Sequence, residues 1–209
     1  MNKRSTSVAT SVTTWYFEML SPEALRPKRF DPYDLSIQRM EIPCPEFGRF
    51  LYTSVGGPWY WCDRLSWNYA DWQRHLERPE VEIWTAWMAG TPAGYVELES
   101  QAQGNVEIAY FGLLPLFMGQ GLGGYLLTVG TQEAWSMPAQ RVWVHTCSLD
   151  GPQAYHNYEA RGFTLYHTET TVKPLPPQPP GPWPNSGAPH SLSKTTDQTS
   201  GKKANPHKS

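Results

Sequence analysis

The sequence lacks several features that mark whole classes of protein. Its 209 residues hold 17 Lys and Arg against 19 Asp and Glu, so there is no basic excess for nucleic-acid binding. The three cysteines, Cys44, Cys62 and Cys147, have no paired spacing, which favours free thiols in a reducing compartment. No apolar run approaches the ~20 residues of a membrane helix, and no Cys/His cluster has metal-ligand spacing. We therefore predict a cytoplasmic protein with no metal, no nucleic-acid partner and no membrane partner.

The two ends of the chain differ in composition from its middle. Nine of the 20 prolines follow Val172, in a segment otherwise dominated by Ser, Thr, Lys and Gly. Such a segment buries too little apolar surface to offset the entropy of ordering it. We predict a disordered N-terminus at residues 1–12, one folded domain at residues 13–172 and a Pro-rich disordered tail at residues 173–209. The tail is either inert or a ligand for a proline-binding domain.

Between these ends, hydrophobic periodicity alternates between strand and helix patterns. Strands are predicted at residues 13–20, 36–42, 81–88, 94–99, 106–113, 141–145 and 163–172. Helices are predicted at residues 47–55, 69–76, 121–135 and 152–161. Because strands and helices interleave within one unit, the predicted fold class is mixed α/β.

A glycine-rich turn between a predicted strand and a predicted helix is the strongest functional pattern. Gly119, Gly121, Gly123 and Gly124 fall within six residues. Glycines let an anion approach backbone N–H groups, and a helix N-terminus adds unpaired donors and a favourable dipole. The turn is therefore predicted to bind a phosphate or pyrophosphate; the alternative is a turn without a ligand.

Three kinds of anion-binding turn compete for this segment. A P-loop requires Gly-Lys-Ser/Thr at its end, whereas Tyr125 follows Gly124 here. The dinucleotide pattern G-x-G-x-x-G matches Gly119, Gly121 and Gly124, but Val144 stands where its acidic residue is expected, ~20 residues further on. The third interpretation is a resemblance to a known family.

The segment Met118-Gly119-Gln120-Gly121-Leu122-Gly123 resembles motif A of the GNAT superfamily of acyl-CoA-dependent N-acyltransferases, whose pattern is Arg/Gln-x-x-Gly-x-Gly/Ala. Met118 departs from the first position. Residues 154–163 resemble the family's Ala-x-x-x-Tyr-x-x-x-Gly-Phe. The resemblance covers about residues 37–172. It implies a GNAT-type fold: a mixed, mostly antiparallel central sheet with splayed strands and about four flanking helices.

The resemblance also implies acetyl-CoA as cosubstrate and a set of residues that bind it. The turn would hold the pyrophosphate, and the main chain near Phe111 would pair with pantetheine, with a strand bulge expected at Gly112. The family often has Asn seven residues before its conserved Tyr, where this chain has Gly151. The implied cofactor-binding residues are Phe111, Gly112, Leu113, Met118, Gly119, Gln120, Gly121, Leu122, Gly123, Gly124 and Asn157.

Two catalytic roles follow from the same resemblance. Tyr158 occupies the position of the general acid that protonates the departing thiolate, although a core tyrosine is the alternative. Glu107 is our first choice for the base and Glu97 the second, with a solvated strand carboxylate as the alternative for each. His145, in an apolar strand, is expected to be a core group. Cys147 gives no reason to propose a covalent intermediate, so direct transfer is expected.

The acceptor is expected over an aromatic segment, defined as residues 59–72. It holds six aromatic residues in fourteen positions and forms a substrate wall, a hydrophobic minicore or a dimer surface: Trp59, Tyr60, Trp61, Trp67, Tyr69 and Trp72. The predicted function is acetyl-CoA-dependent N-acetyl transfer to an amine, preferably a small molecule, with a homodimer possible. The alternatives are a protein N-acetyltransferase and a non-catalytic acyl-CoA-binding module.

Overall fold

A computed structural model describes residues 7–31 and 34–183. Their strands form one seven-stranded sheet in the order β2-β3-β4-β5-β6-β1-β7, in which only β5 and β6 are parallel neighbours. The strands are β1 Val8–Met19, β2 Leu35–Arg39, β3 Val81–Met88, β4 Thr91–Gln101, β5 Asn105–Leu113, β6 Arg141–Cys147 and β7 Thr164–Leu175. The helices are α1 Pro45–Gly56, α2 Tyr69–Leu76, α3 Leu122–Ser136 and α4 Ala154–Ala160. The predicted mixed, mostly antiparallel sheet with four helices is confirmed.

Local sequence signals explain where helices begin and end. Pro45 occupies the first turn of α1, where its missing N–H has no intrahelical partner to lose. The start of α2 is fixed by a capping box between Asn68 and Asp71, each side chain bonding the other residue's backbone N–H. Gly162, just after α4, has φ +96° and lies against the Ala24 carbonyl, so a side chain there would clash.

The two faces of the sheet bury two separate apolar clusters. The larger lies under α3 and α4, where Leu122, Leu126 and Leu127 are fully buried. The smaller lies under α1 and α2 and includes Leu51 and Ile83. With helices covering both faces of the central strands, the sheet supplies a rigid frame for side chains at its edges and gaps.

The gap between β5 and β6 is the feature of the fold that creates a site. The two strands pair only from Asn105–Arg141 to Ile108–Val144, yet β5 continues to Leu113 and β6 to Cys147. Beyond Ile108 they diverge and leave a wedge.

The register of β4 and β5 shifts where Glu97 faces Tyr110 and Leu98 faces Ile108, so Ala109 is the extra residue. The bulge expected at Gly112 is therefore at Ala109. Gly112 is instead small because a Cβ there would lie 2.5 Å from Val55 of α1.

The predicted domain boundaries need correction at both ends. β1 begins at Val8, so the predicted disorder of residues 1–12 is wrong for Val8–Val12. Strand β7 continues to Leu175, and the Gly181 N–H donates to the Gly57 carbonyl oxygen at 3.1 Å, so the predicted tail is ordered in its first part. The reason is strand pairing: β1 and β7 extend each other antiparallel from Val8–Leu175 onward. Residues 1–6 and 184–209 of the predicted ends lie outside the described residues.

Candidate active site

A cavity of about 1070 Å³ lies in the wedge between β5 and β6. This volume is slightly above the usual range of ~300–1,000 Å³ for small-molecule and cofactor sites. Its walls come from β5 at residues 108–113, β6 at residues 145–147, the glycine turn, α4, and the first part of the aromatic segment. The cavity therefore joins most of the predicted site residues in one space.

The glycine turn has the backbone shape that anion binding requires. Gly119 and Gly121 have φ values of +75° and +91°, and Gly121 is the N-cap of α3 without any side-chain cap. A Cβ at Gly119 would meet nothing within 4 Å, and one at Gly123 would meet only Leu113, at 3.5 Å. The turn therefore leaves room for a ligand at Gly119 and Gly123, and the dipole at the start of α3 favours a negative charge there.

Two basic side chains flank this turn, and sequence reasoning missed both. A Cβ at Gly124 would lie 2.6 Å from Nη1 of Arg161 and 3.3 Å from Cγ of Lys28. Arg161 Nε is buried and has no hydrogen-bond partner among the described residues, and burial lowers the pKa of its guanidinium. The position of Arg161 inside the second family motif, just before Gly162, was the available signal. Both side chains add positive charge beside the turn.

Most of the predicted cofactor-binding residues line the cavity, but two do not. The residues that line it are Phe111, Gly112, Leu113, Met118, Gly119, Gly121, Gly123, Gly124 and Asn157. Leu122 is fully buried in the core, and Gln120 donates from Nε2 to the Leu116 carbonyl oxygen at 2.8 Å. Neither side chain faces the cavity, so a role for these two residues is limited to their main chains.

Tyr158 sits on the cavity wall in an aromatic surround. It is only 4% exposed, and its ring packs against Phe17, Phe111 and Phe163 at 5.7, 6.3 and 6.1 Å. Burial, and to a smaller extent the charge of Asp150, raises the pKa of Tyr158 above its usual value. The phenol is therefore neutral and holds a proton to donate.

Asp150 is a second residue that sequence reasoning missed. Its carboxylate accepts from the Thr146 hydroxyl at 2.7 Å and from the Cys147 N–H at 2.8 Å. These bonds fix the turn that follows β6, and Asp150 itself lines the cavity. Nothing in the sequence spacing separates it from an ordinary turn aspartate.

Glu97, the second choice for the base, is engaged in a buried ion pair. It is 1% exposed, accepts two hydrogen bonds from Arg64 at 2.9 and 2.7 Å, and lies 2.9 Å from Nε2 of His75. Burial alone would raise the pKa of Glu97, but hydrogen bonds from His75 and Arg64 and their charges hold it below its usual value. Glu97 does not line the cavity. A carboxylate with its oxygens so engaged is a poor candidate for a base.

Glu107 and His145 form a contact at the point where β5 and β6 diverge. Their side chains are 14% and 45% exposed, and Nδ1 of His145 lies 3.4 Å from Oε1 of Glu107. His145 lines the cavity, whereas Glu107 does not and accepts a further hydrogen bond from Gln101 at 2.8 Å. The expectation that His145 is a core group is wrong: buried Val144 and Thr146 point to the other face.

The aromatic segment divides into two parts. Trp59, Tyr60 and Trp61 line the cavity, and Tyr60 has φ +61°, a strained conformation that tends to occur at functional sites. Trp67 and Trp72 instead pack on each other at 5.1 Å and around the Arg64 guanidinium. The segment is thus partly cavity wall and partly minicore.

The family model described as "Acetyltransferase (GNAT) family" matches residues 40–163, more than half of the chain. This chain belongs to the GNAT acetyltransferase family. The match contains both motif segments and the helices α1 to α4. No curated protein sequence matches the chain significantly.

Solved structures support the GNAT fold. A GCN5-related N-acetyltransferase from Kribbella flavida is 20% identical, with a TM-score of 0.57 over 79% of this chain and 58% of that one. One from Sphaerobacter thermophilus is 15% identical, with a TM-score of 0.58 over 82% and 53%. An aminoglycoside acetyltransferase from a soil metagenomic sample is 16% identical, with a TM-score of 0.52 over 66% and 97%. This chain thus spans little more than half the length of the first two.

Three further structural observations concern the described residues. Within residues 7–31 and 34–183, no helix is long and apolar enough to cross a membrane. Across the same part of the chain, no three His, Cys, Asp or Glu side chains are grouped as a metal site would require. The side chains of Cys44, Cys62 and Cys147 are free thiols.

Proposed function

We propose that this GNAT chain transfers an acetyl group from acetyl-CoA to the amine of a small molecule, by direct attack. The observation that best supports this is a single cavity that reaches from the glycine turn past Tyr158 to the aromatic segment. Such a cavity brings an anionic cofactor, a proton donor and an acceptor wall together.

The residues present suit acetyl-CoA. The backbone N–H groups at the uncapped start of α3, with the positive charges of Arg161 and Lys28 beside the turn, would hold its phosphates. The main chain from Phe111 to Leu113 no longer pairs with β6 but still lines the cavity. It therefore offers backbone N–H and C=O groups to pantetheine.

The proposed chemistry requires a proton donor for the leaving sulfur and a base for the amine. The bound ammonium first loses one proton to solvent. The neutral amine nitrogen then attacks the thioester carbonyl carbon, the C–S bond breaks, and the Tyr158 hydroxyl donates its proton to the thiolate. A buried neutral phenol serves this step because it does not ionise at working pH. Glu107 is the carboxylate that supports loss of the amine proton.

The acceptor end of the cavity suits a small cation. The carboxylates of Asp63, Asp150 and Glu169 line the cavity with one lysine, Lys173, and so do Trp59 and Trp61. A protonated amine gains ~0.5–2 kcal/mol from each indole face it contacts. Because Lys173 and Leu175 of β7 line the same cavity as the aromatic segment, both elements bound the space for the acceptor, which favours a small molecule over a protein lysine.

A panel of amines, with thiol release from acetyl-CoA as readout, tests the proposal. We expect release with small aromatic or apolar amines and much weaker release with lysine peptides. Release with lysine peptides alone would instead support a protein N-acetyltransferase. Tight CoA binding without release for any amine would support a non-catalytic acyl-CoA-binding module.

A further inference from the structure

The expected base, Glu107, is set back from the cavity. Its side chain is 14% exposed, and its oxygens are already engaged by Gln101 at 2.8 Å and by His145 at 3.4 Å. The side chain in that cluster that lines the cavity is His145. A proton leaving an amine in the cavity therefore meets an imidazole before it meets the carboxylate.

The strand register explains why these two residues meet. Glu107 pairs with Trp143 and Ile108 with Val144, the last pair before β5 and β6 diverge. His145 is the next residue of β6, and it lies on the same sheet face as Trp143 and Glu107, because alternate residues of a strand share a face. The pair thus stands at the mouth of the wedge, on the face where the aromatic segment also lies.

We propose that His145 is the general base and that Glu107 is its positioning residue; this inference rests on the proposed acetyl transfer. With Nδ1 turned to Glu107, Nε2 of His145 is left to face the cavity. As the amine nitrogen bonds to the thioester carbon, its proton passes to Nε2, and the Glu107 carboxylate stabilises the resulting imidazolium. Tyr158 protonates the thiolate, so the products are the amide and the free thiol, and both residues exchange protons with water afterwards.

The other groups around the ring suit this role. Tyr16, the β1 partner of His145, lies 5.8 Å from it and is hydrogen-bonded to Glu169. That bond, with burial, raises the pKa of Tyr16 to about 12, so Tyr16 stays neutral and does not compete for the amine proton. Trp143 stacks on the imidazole at 6.1 Å and limits its rotation.

Steady-state kinetics of three variants test the assignment, with thiol release measured for the best amine of the panel. We expect His145→Ala to lower kcat by ~10²–10⁴ and added imidazole to restore part of it. Glu107→Gln should lower kcat by ~10–100, the loss typical when the partner that orients a metal-ligating histidine is removed. His167→Ala is the matched control: it is an exposed histidine that contacts the same Tyr16 ring at 5.3 Å but does not line the cavity.

The melting temperature, the Michaelis constants and the double variant distinguish the proposed roles of His145 and Glu107 from a purely structural role. For the proposed pair, both Michaelis constants and the melting temperature stay near wild-type values, and Glu107→Gln causes no further loss in the His145→Ala protein. Full kcat in folded His145→Ala, or an equal loss in His167→Ala, would overturn the assignment while leaving the proposed function intact. A wild-type protein that releases no thiol with any amine would overturn both.

Discussion

The buried contact between Arg64 and Glu97 allows a sharp prediction about stability. Arg64→Met keeps most of the side-chain volume but removes the guanidinium that donates two hydrogen bonds to Glu97. Glu97 would remain 1% exposed, with His75 as its nearest partner. An ionised carboxylate left with one partner in the protein interior is costly, because water cannot reach it to replace the two lost donors.

The expected loss in the free energy of unfolding is ~3–5 kcal/mol, the range for breaking a buried ion pair from one side. For a domain of this size each kcal/mol lowers the melting temperature by roughly 2–4 °C, so the expected drop is roughly 6–20 °C. The pH dependence has a definite sign. The pKa of Glu97 in the folded protein lies below its usual value. The Arg64–Glu97 pair therefore contributes its full stabilisation at pH values above the ordinary carboxyl pKa, and this stabilisation is lost as the pH falls through the folded pKa.

Thermal and urea unfolding of Arg64→Met and Arg78→Met provide the comparison. Arg78 pairs at 2.8 Å with Glu99, which lies on β4 like Glu97, but the side chains of Arg78 and Glu99 are 39% and 22% exposed. This surface pair should contribute only ~0–1 kcal/mol. Equal losses in the two variants, or a loss below ~1 kcal/mol in Arg64→Met at neutral pH, would refute the argument from burial.

Three further predictions concern the site and the chain end. Gly123→Val should abolish CoA binding by calorimetry and leave the melting temperature unchanged, while Gln132→Val, exposed on the same helix, should not affect binding. Tyr158→Phe should lower turnover by ~10²–10⁴ with little change in CoA affinity; wild-type turnover would make Tyr158 a packing residue. A chain ended after Trp183 should melt like the full chain, whereas one ended after Val172 should melt several degrees lower. The shorter chain loses the β7 pairs of residues 173–175 and the Gly181–Gly57 bond.

Features set by neighbouring residues could be predicted from the sequence. The bounds predicted for α2 and β3 coincide with those in the structure, because a capping box and a turn define them locally. The glycine turn was likewise predictable, since positive φ values at Gly119 and Gly121 depend on the absence of a Cβ. Its predicted ligand was a family expectation and remains a proposal.

Features that depend on distant partners could not be predicted. Glu97 looked like a strand-face carboxylate, and its partner Arg64 is 33 residues away in a loop with no regular periodicity. His145 looked like a core residue because the strand around it is apolar, yet it alternates with buried Val144 and Thr146 and lines the cavity on the opposite face. Val8–Val12 carried no strong strand signal, and they are ordered by pairing with β7 at the other end of the chain. In each case the deciding contact is between elements far apart in sequence.

The aromatic segment shows how one composition serves two purposes in this fold. Trp67 and Trp72 pack around the Arg64 guanidinium, which binds Glu97 in the interior. The Tyr52 hydroxyl accepts a hydrogen bond from the Arg64 N–H at 3.2 Å, and these contacts fix the loop. Asp63 is the residue next to Arg64 and lies on the cavity wall. A neighbour of a fixed residue has little freedom, so the buried pair positions the carboxylate proposed to meet the acceptor. An interior ion pair is a weak source of net stability compared with apolar packing, and here it holds the loop that carries Asp63 on the cavity wall.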